Sequence, residues 1–338
     1  MRFLLYPISL IYRYNCLLIN LFYRWRFFKP KKSPLPVISI GNISFGGSEK
    51  TPMAKHILSE LLKSSYKPAL VARGYRGKWE RSGGILSNGR SISGTWREAG
   101  DEPFMIARSI TEAGIFIGKD RLAGCRKAKE SGFDIVVLDD AFQYHPLEKE
   151  ISIVMYDPKE KIMLRESRSS IGRSHAILVK KNRDKQIKSS LKKQFPQIQS
   201  FSYSVVIKGV YHIFTKRLLP PAELNNKTVL SFSGIARPER FKTALKNLGI
   251  NSVKFLKFPD HHPYPQKSIK KIKKNYLSFQ ADIIITTEKD MVKLADIKEL
   301  VSLPLYFLKI DLKIEQAFYA WLWSRLEKRE DKIYHGKT

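Results

Sequence analysis

The chain has 338 residues, enough to bury a sizeable core and to form two domains or one large α/β unit with an appendage. Its formal net charge of +30, from 61 Lys and Arg against 31 Asp and Glu, implies an acidic partner: nucleic acid, an anionic membrane surface or a phosphorylated substrate. Only Cys16 and Cys125 are present, with no metal-ligand or redox spacing near either, which excludes a disulfide framework and fits a reducing cytoplasmic setting.

The first thirty residues are apolar and aromatic, but Arg13, Arg24 and Arg26 interrupt them, so the run of about 20 apolar residues needed for a simple transmembrane helix is missing. No small-residue cleavage site follows, and Arg13, Tyr14 and Asn15 ahead of Cys16 do not suit lipoprotein processing. Large apolar side chains interspersed with arginines suit a helix lying in a membrane interface; the alternative is a helix packed on the protein's own core. The basic run Lys29–Lys32, with prolines at 30, 34 and 36, marks a linker.

Beyond it, short apolar runs alternate with amphipathic stretches. The pattern predicts strands at Val37–Ile40, Ala69–Ala72, Ile115–Gly118, Ile135–Asp139, Ile151–Tyr156 and Ala176–Val179, with helices over Thr51–Lys63, Glu102–Glu112 and Arg121–Glu130. After a lysine-rich polar stretch around 180–200, strands resume at Val229–Phe232, Val253–Phe258, Ile283–Thr286 and Leu305–Ile310. Such alternation predicts a mostly parallel sheet covered by helices, with a second α/β lobe beginning near 200. Ligands of such sheets bind at the carboxyl ends of strands.

Ile38–Pro52, ISIGNISFGGSEKTP, runs from an apolar strand through a glycine-rich turn to Lys-Thr at a helix start. This is the order of parts in a phosphate-binding loop, in which backbone N–H groups surround the phosphates, a lysine (Lys50) reaches the β/γ-phosphates and a hydroxyl (Thr51) meets Mg²⁺. The strict spacing wants glycine at 44 and 49 and finds Ser44 and Glu49, while Gly46 and Gly47 lie inside the loop. The Glu49 carboxylate could cost nucleotide binding about 1 to 3 kcal/mol unless it turns outward toward Lys or Arg. On the repulsion argument, Glu49→Gly lowers the KM for ATP.

DIVVLDDAFQYHPL, 134–147, ends a strand on Asp139–Asp140, where a carboxylate either holds the Mg²⁺ shell or caps the next helix; beside Lys50–Thr51 the metal reading is the better one. Asp101–Glu102 in GDEP opens a helix, as dipole partners or, functionally, as the base that phosphoryl transfer to an alcohol requires. FPDHHPY, 258–264, sets Asp260 beside His261 and His262; adjacent residues on an extended segment point oppositely, which favours one functional imidazole over a two-histidine metal site. Spacing assigns no role to SFSGIARPERF, 231–241, or TTEKDMVKL, 286–294.

In this order, these islands together with LRES at 164–167 resemble the tetraacyldisaccharide 4′-kinases of lipid A biosynthesis in Gram-negative bacteria, over about residues 37 to 294. The resemblance implies a kinase on the cytoplasmic face of the inner membrane that moves the γ-phosphate of ATP, with Mg²⁺, to the 4′-hydroxyl of a tetraacyldisaccharide 1-phosphate, giving lipid IVA. It implies an N-terminal membrane-associated helix over 1–30, a phosphate-loop ATP-binding α/β domain over 31–200, and a second, smaller α/β lobe over 201–330 that completes a cleft. Its site residues map onto Asn42, Ser44, Gly46, Gly47, Ser48, Lys50 and Thr51 for ATP, with Lys50 also catalytic. Thr51, Glu102 and Asp139 map onto the metal shell, and Asp101 onto the group activating the hydroxyl, assisted by His261. Asp140, Arg121 and Gln143 are further substrate or site candidates. The lipid substrate and an anionic membrane surface are the expected partners, and nucleic acid is not expected. The competing readings are a basic, nucleic-acid-binding ATPase and a weakened, lipid-binding family member. The chain departs from the family's pattern at Glu49, at Ala141 and Tyr144, where the family has Gly and His, and in lacking the proline-glycine element before LRE.

Overall fold

The computed structural model describes residues 6–45, 49–157, 164–181, 184–224, 227–250 and 253–335. Their strands, in chain order, are β1 Val37–Gly41, β2 Pro68–Ala72, β3 Gly84–Asn88, β4 Gly114–Ile117, β5 Ile135–Leu138, β6 Ile151–Tyr156, β7 Ala176–Lys180, β8 Gln199–His212, β9 Leu218–Leu219, β10 Val229–Ser233, β11 Val253–Lys257, β12 Ile283–Thr287 and β13 Leu305–Ile314. The fold is mixed α/β with mostly parallel strand pairing.

The chain divides into two compact units, and neither is contiguous. The first holds residues 1–72, 120–205 and 312–338; the second holds 73–119 and 206–311. This differs from the division at 200 expected above in two segments: 73–119 leave the first unit, and the C-terminal residues from 312 rejoin it.

In the first unit the strand order is β8-β7-β6-β1-β5-β2, all parallel. β1, β2, β5 and β6 are buried along their whole length, as Val- and Ile-rich strands covered on both faces must be. The chain leaves β1 toward one side of the sheet, to β2 beyond β5, and crosses back after β5 to β6 on the other side. β1 therefore stands at the topological switch point, where parallel sheets open a crevice at their carboxyl ends. Helix Lys50–Lys63 buries Thr51, Met53, Ala54, Ile57, Leu58 and Leu61, the i, i+3, i+4 stripe that packs a helix on a sheet.

The N-terminal helix Tyr6–Arg24 exposes Tyr12, Tyr14, Leu17, Ile19 and Phe22, and Trp25, Phe27 and Phe28 beyond it are exposed too. Cys16 is buried, and Asn20 donates to buried Glu166 at 2.8 Å, which ties the helix down along the line of these two residues. No helix among the described residues is long and apolar enough to cross a membrane.

In the second unit β11-β10-β12-β13 run parallel in that order, and β3 and β4 form an antiparallel pair. Helix Asp101–Ser109 packs against helix Glu288–Leu294, and the Ser109 hydroxyl donates to Glu288 at 3.1 Å.

Candidate active site

The described candidate residues gather into two clusters, one in each unit. In the first unit the close approach of Gly41 to the segment after β5 brings the loop and the aspartates together: a Cβ at Gly41 would lie 2.5 Å from the Phe142 Cβ. Asn42, fully buried, donates to the Ser44 hydroxyl at 3.2 Å and accepts from Lys50 Nζ at 3.1 Å. The Thr51 hydroxyl donates to Asp139 Oδ2 at 3.0 Å, both side chains being buried. Asp140, in the left-handed region at φ 51°, accepts from Arg165 at 2.7 Å and lies 3.1 Å from Lys50 Nζ. Burial opposes its charge, but Lys50 and Arg165 hold its carboxyl well below the usual carboxylate range. Gln143 donates to the Asn42 carbonyl at 2.8 Å. Arg121 is buried at the start of helix Arg121–Glu130; its guanidinium lies over the Tyr144 ring and its backbone N–H donates to the Tyr144 hydroxyl at 3.2 Å. Gly46, Gly47 and Ser48 lie outside the described residues.

Glu49 has φ 55°, the left-handed conformation that a loop glycine adopts freely. Its carboxylate turns toward β7 and β8, where Lys180 Nζ is 3.1 Å away and the Tyr203 hydroxyl donates at 3.2 Å.

In the second unit Gly100, at φ 87°, turns the chain into helix Asp101–Ser109 and seats Asp101 at its first position. His261, at φ 60° after β11, places Nδ1 3.0 Å from both Asp101 oxygens. A carboxylate only accepts, so Nδ1 carries the proton and Nε2 is left as the acceptor. Burial opposes ionisation of Asp101, but the hydrogen bond from His261 and the ammonium groups of Lys289 and Lys293 hold its carboxyl far below the usual range. His262 points elsewhere: it stacks on Phe258 and bonds the Ser268 hydroxyl at 2.8 Å, and the two imidazoles part because His261 sits in a left-handed turn rather than on the extended segment expected from the sequence.

The second unit's remaining motifs hold this pair. The His261 N–H donates to the Gly234 carbonyl at 3.1 Å, and the Gly234 N–H donates to Asp290 at 2.9 Å. The Thr287 hydroxyl also donates to Asp290, at 2.8 Å. Lys293, 4% exposed, lies 3.3 Å from both Asp101 and Asp290. Lys289 lies 2.9 Å from Glu102, 3.5 Å from Asp260 and 4.0 Å from Asp101. Burial works against its charge, and these carboxylates overcome it and push its ammonium above the ordinary lysine value.

A family model described as tetraacyldisaccharide-1-P 4′-kinase matches residues 1–327. The chain belongs to this family. Among curated relatives, the tetraacyldisaccharide 4′-kinase of Syntrophus aciditrophicus is 33% identical over 336 residues, covering 92% of this chain and 89% of the relative. That of Aquifex aeolicus is 30% identical over 320 residues, covering 90% and 93%. The crystal structure of LpxK from Aquifex aeolicus in complex with ATP has a TM-score of 0.72 and 27% identity, covering 99% of this chain and 98% of that one.

Against the family's loop, Glu49 occupies a glycine's backbone conformation and directs its charge to Lys180. Sequence reasoning left Arg165, Lys180, Lys289 and Lys293 without roles. For Lys289 and Lys293 a signal existed, since their four-residue spacing puts both on one helix face. Lys180 and Arg165 meet the loop only through the sheet order, and no spacing announces that.

Proposed function

We propose that the chain is a membrane-associated kinase that transfers the γ-phosphate of ATP to the 4′-hydroxyl of a tetraacyldisaccharide 1-phosphate. The observation that carries this reading is the Thr51–Asp139 pair beside Lys50 at the start of helix Lys50–Lys63, in a chain that belongs to the family. A helix N-terminus at the carboxyl end of β1 suits a triphosphate, and Lys50 suits its β/γ end. Thr51 and Asp139 offer a buried hydroxyl and carboxylate together, a donor set that fits Mg²⁺, and they would hold it. Bound there, the ion would neutralise charge on the β- and γ-phosphate oxygens.

The second cluster offers a base for the hydroxyl proton. His261, oriented by Asp101, accepts that proton at Nε2 in place of the hydrogen bond that the Lys289 ammonium, 3.3 Å away, makes there, and Asp101 stabilises the resulting imidazolium. Lys50 stabilises the charge on the transferring group, so rate comes from positioning and electrostatics, with proton removal a smaller share. The exposed aromatic residues of the N-terminal helix and the +30 charge suit an anionic membrane surface, on the cytoplasmic side where ATP is available. Deleting residues 1–28 should therefore release the protein from membranes.

The test is transfer of label from γ-labelled ATP to tetraacyldisaccharide 1-phosphate in detergent, abolished by Lys50→Ala. ATP turnover stimulated only by nucleic acid, with no labelled lipid, would refute the reading.

A further inference from the structure

Asp101, Glu102 and His261 each offer a ligand atom, and these atoms lie within 4.8 Å of one another, a constellation that could hold a metal ion. The resemblance assigns Glu102 to the metal shell, yet the Glu102 carboxylate accepts from Lys289 at 2.9 Å. The same ammonium is 4.0 Å from Asp101 and 3.5 Å from Asp260, and it meets His261 Nε2 at 3.3 Å. Because Nδ1–H is committed to Asp101, Nε2 accepts from Lys289. One lysine thus touches every member of the constellation, with its side chain only 16% exposed.

We propose that, in the nucleotide-free protein, Lys289 is the resident cation of this acidic cluster and occupies the seat a divalent ion would otherwise take among Asp101, Glu102 and His261. Asp101, Glu102, Asp260 and Asp290 bring four carboxylates, against which stand the ammonium groups of Lys289 and Lys293. Lys293 lies between Asp101 and Asp290, while Lys289 answers Glu102 and Asp260. A divalent ion bound to the three ligand atoms would sit against that ammonium, and like charges at such a distance in a half-buried site exclude one another. A metal and Lys289 therefore compete for Glu102, and the proton-taking pair is held in place without a metal of its own. TTEKDMVKL gains a role: Lys289 and Lys293, one turn apart, counter the acids, while Thr287 and Asp290 fix the helix that carries them.

The bearing of this on catalysis rests on the kinase reading, whereas the test uses neither nucleotide nor lipid and is decided separately. Mn²⁺ is titrated into the full chain and free ion is followed by electron paramagnetic resonance. Lys289→Ala should bind Mn²⁺ about tenfold or more tightly than the unmodified protein, since one unit of positive charge leaves the site. Adding Glu102→Gln should abolish the gain, and Lys289→Arg, which keeps the charge, should bind as the unmodified protein does. If Lys289→Ala does not fold, Lys289→Gln takes its place with the same expectation. The proposal is overturned if removing Lys289 leaves Mn²⁺ affinity unchanged. It is equally overturned if the unmodified protein already binds Mn²⁺ through Glu102, shown by loss of that binding in Glu102→Gln.

Discussion

In the first unit the residues proposed to meet the phosphates and the metal, Asn42, Ser44, Lys50 and Thr51, flank one strand-to-helix connection and are completed by Asp139 and Asp140 at the end of the neighbouring strand. In the second, Asp101 meets His261 and Lys293 across separations of 160 and 192 residues. The first cluster presents a lysine and a helix start, the equipment for an anion. The second presents carboxylates and an imidazole, the equipment for a proton. The first is built largely from one contiguous stretch and completed by Asp139, 88 residues from Thr51, whereas the second joins Asp101 to segments 160 or more residues away.

If this division of labour holds, damage to each cluster should leave different signatures. The largest effect is expected from Asp101→Asn, which should lower kcat by about 10² to 10⁴ through loss of the oriented base. Its KM for ATP should stay unchanged; a matching loss of nucleotide affinity would break the division. Lys50→Met should lower kcat by about 10² to 10³, as removal of one charge-stabilising donor does, and should raise the KM for ATP as well. Measuring nucleotide binding for both variants places the two clusters on separate axes.

Acid should weaken both units. Asp101 and Asp140 titrate far below the ordinary 3.8 when folded, so on lowering pH the unfolded chain takes up these protons first. The stability they contribute is complete above about pH 4 and is lost as pH falls toward their folded values. Urea unfolding at about pH 5 and about pH 3 should show this fall, and Asp101→Asn or Asp140→Asn should each flatten it. An unaltered slope in either variant would remove that carboxylate from the account.

The smallest effect concerns Glu49. Its pairing with Lys180 and Tyr203 answers the repulsion expected from sequence, so Glu49→Gly in the unmodified chain should change the KM for ATP little. Lys180→Met should expose the repulsion and raise that KM by several-fold up to about tenfold, the scale of one ion pair. Glu49→Gly added to Lys180→Met should restore it. Failure of the double variant to recover would show that Lys180 acts otherwise than through Glu49.

The apolar runs at 37–40, 135–139 and 151–156 could be read as strands because buried parallel strands are continuous in Val and Ile. β8 could not, since its Ser, Gln and Lys residues lie on a strand that is half-buried along much of its length. β3, with Ile85 exposed and glycine at its start, carries too weak a pattern. The assignment of 73–119 to the second unit rests on contacts far apart in sequence, which no local pattern encodes. The same holds within the site. Lys50 and Thr51 are legible from spacing; that only one of His261 and His262 faces the Asp101 cluster agrees with the sequence expectation, but through a left-handed turn at His261 rather than through an extended segment. That Asp101 receives His261, and that Lys289 bridges Glu102 and Asp260, depends on which loops the sheet order brings together. Glu49 is the converse case: its substitution is obvious in sequence, while its backbone fit and its pairing lie in a φ of 55° and a lysine 131 residues away.

Phosphoryl transfer to the lipid hydroxyl is tested most directly by mass spectrometry of the lipid after incubation with MgATP. The expected product is a bis-phosphorylated lipid that keeps its 1-phosphate and gains one phosphoryl group at the 4′ position, and Asp101→Asn should lose it. ATP consumed to inorganic phosphate with the lipid mass unchanged would contradict such transfer.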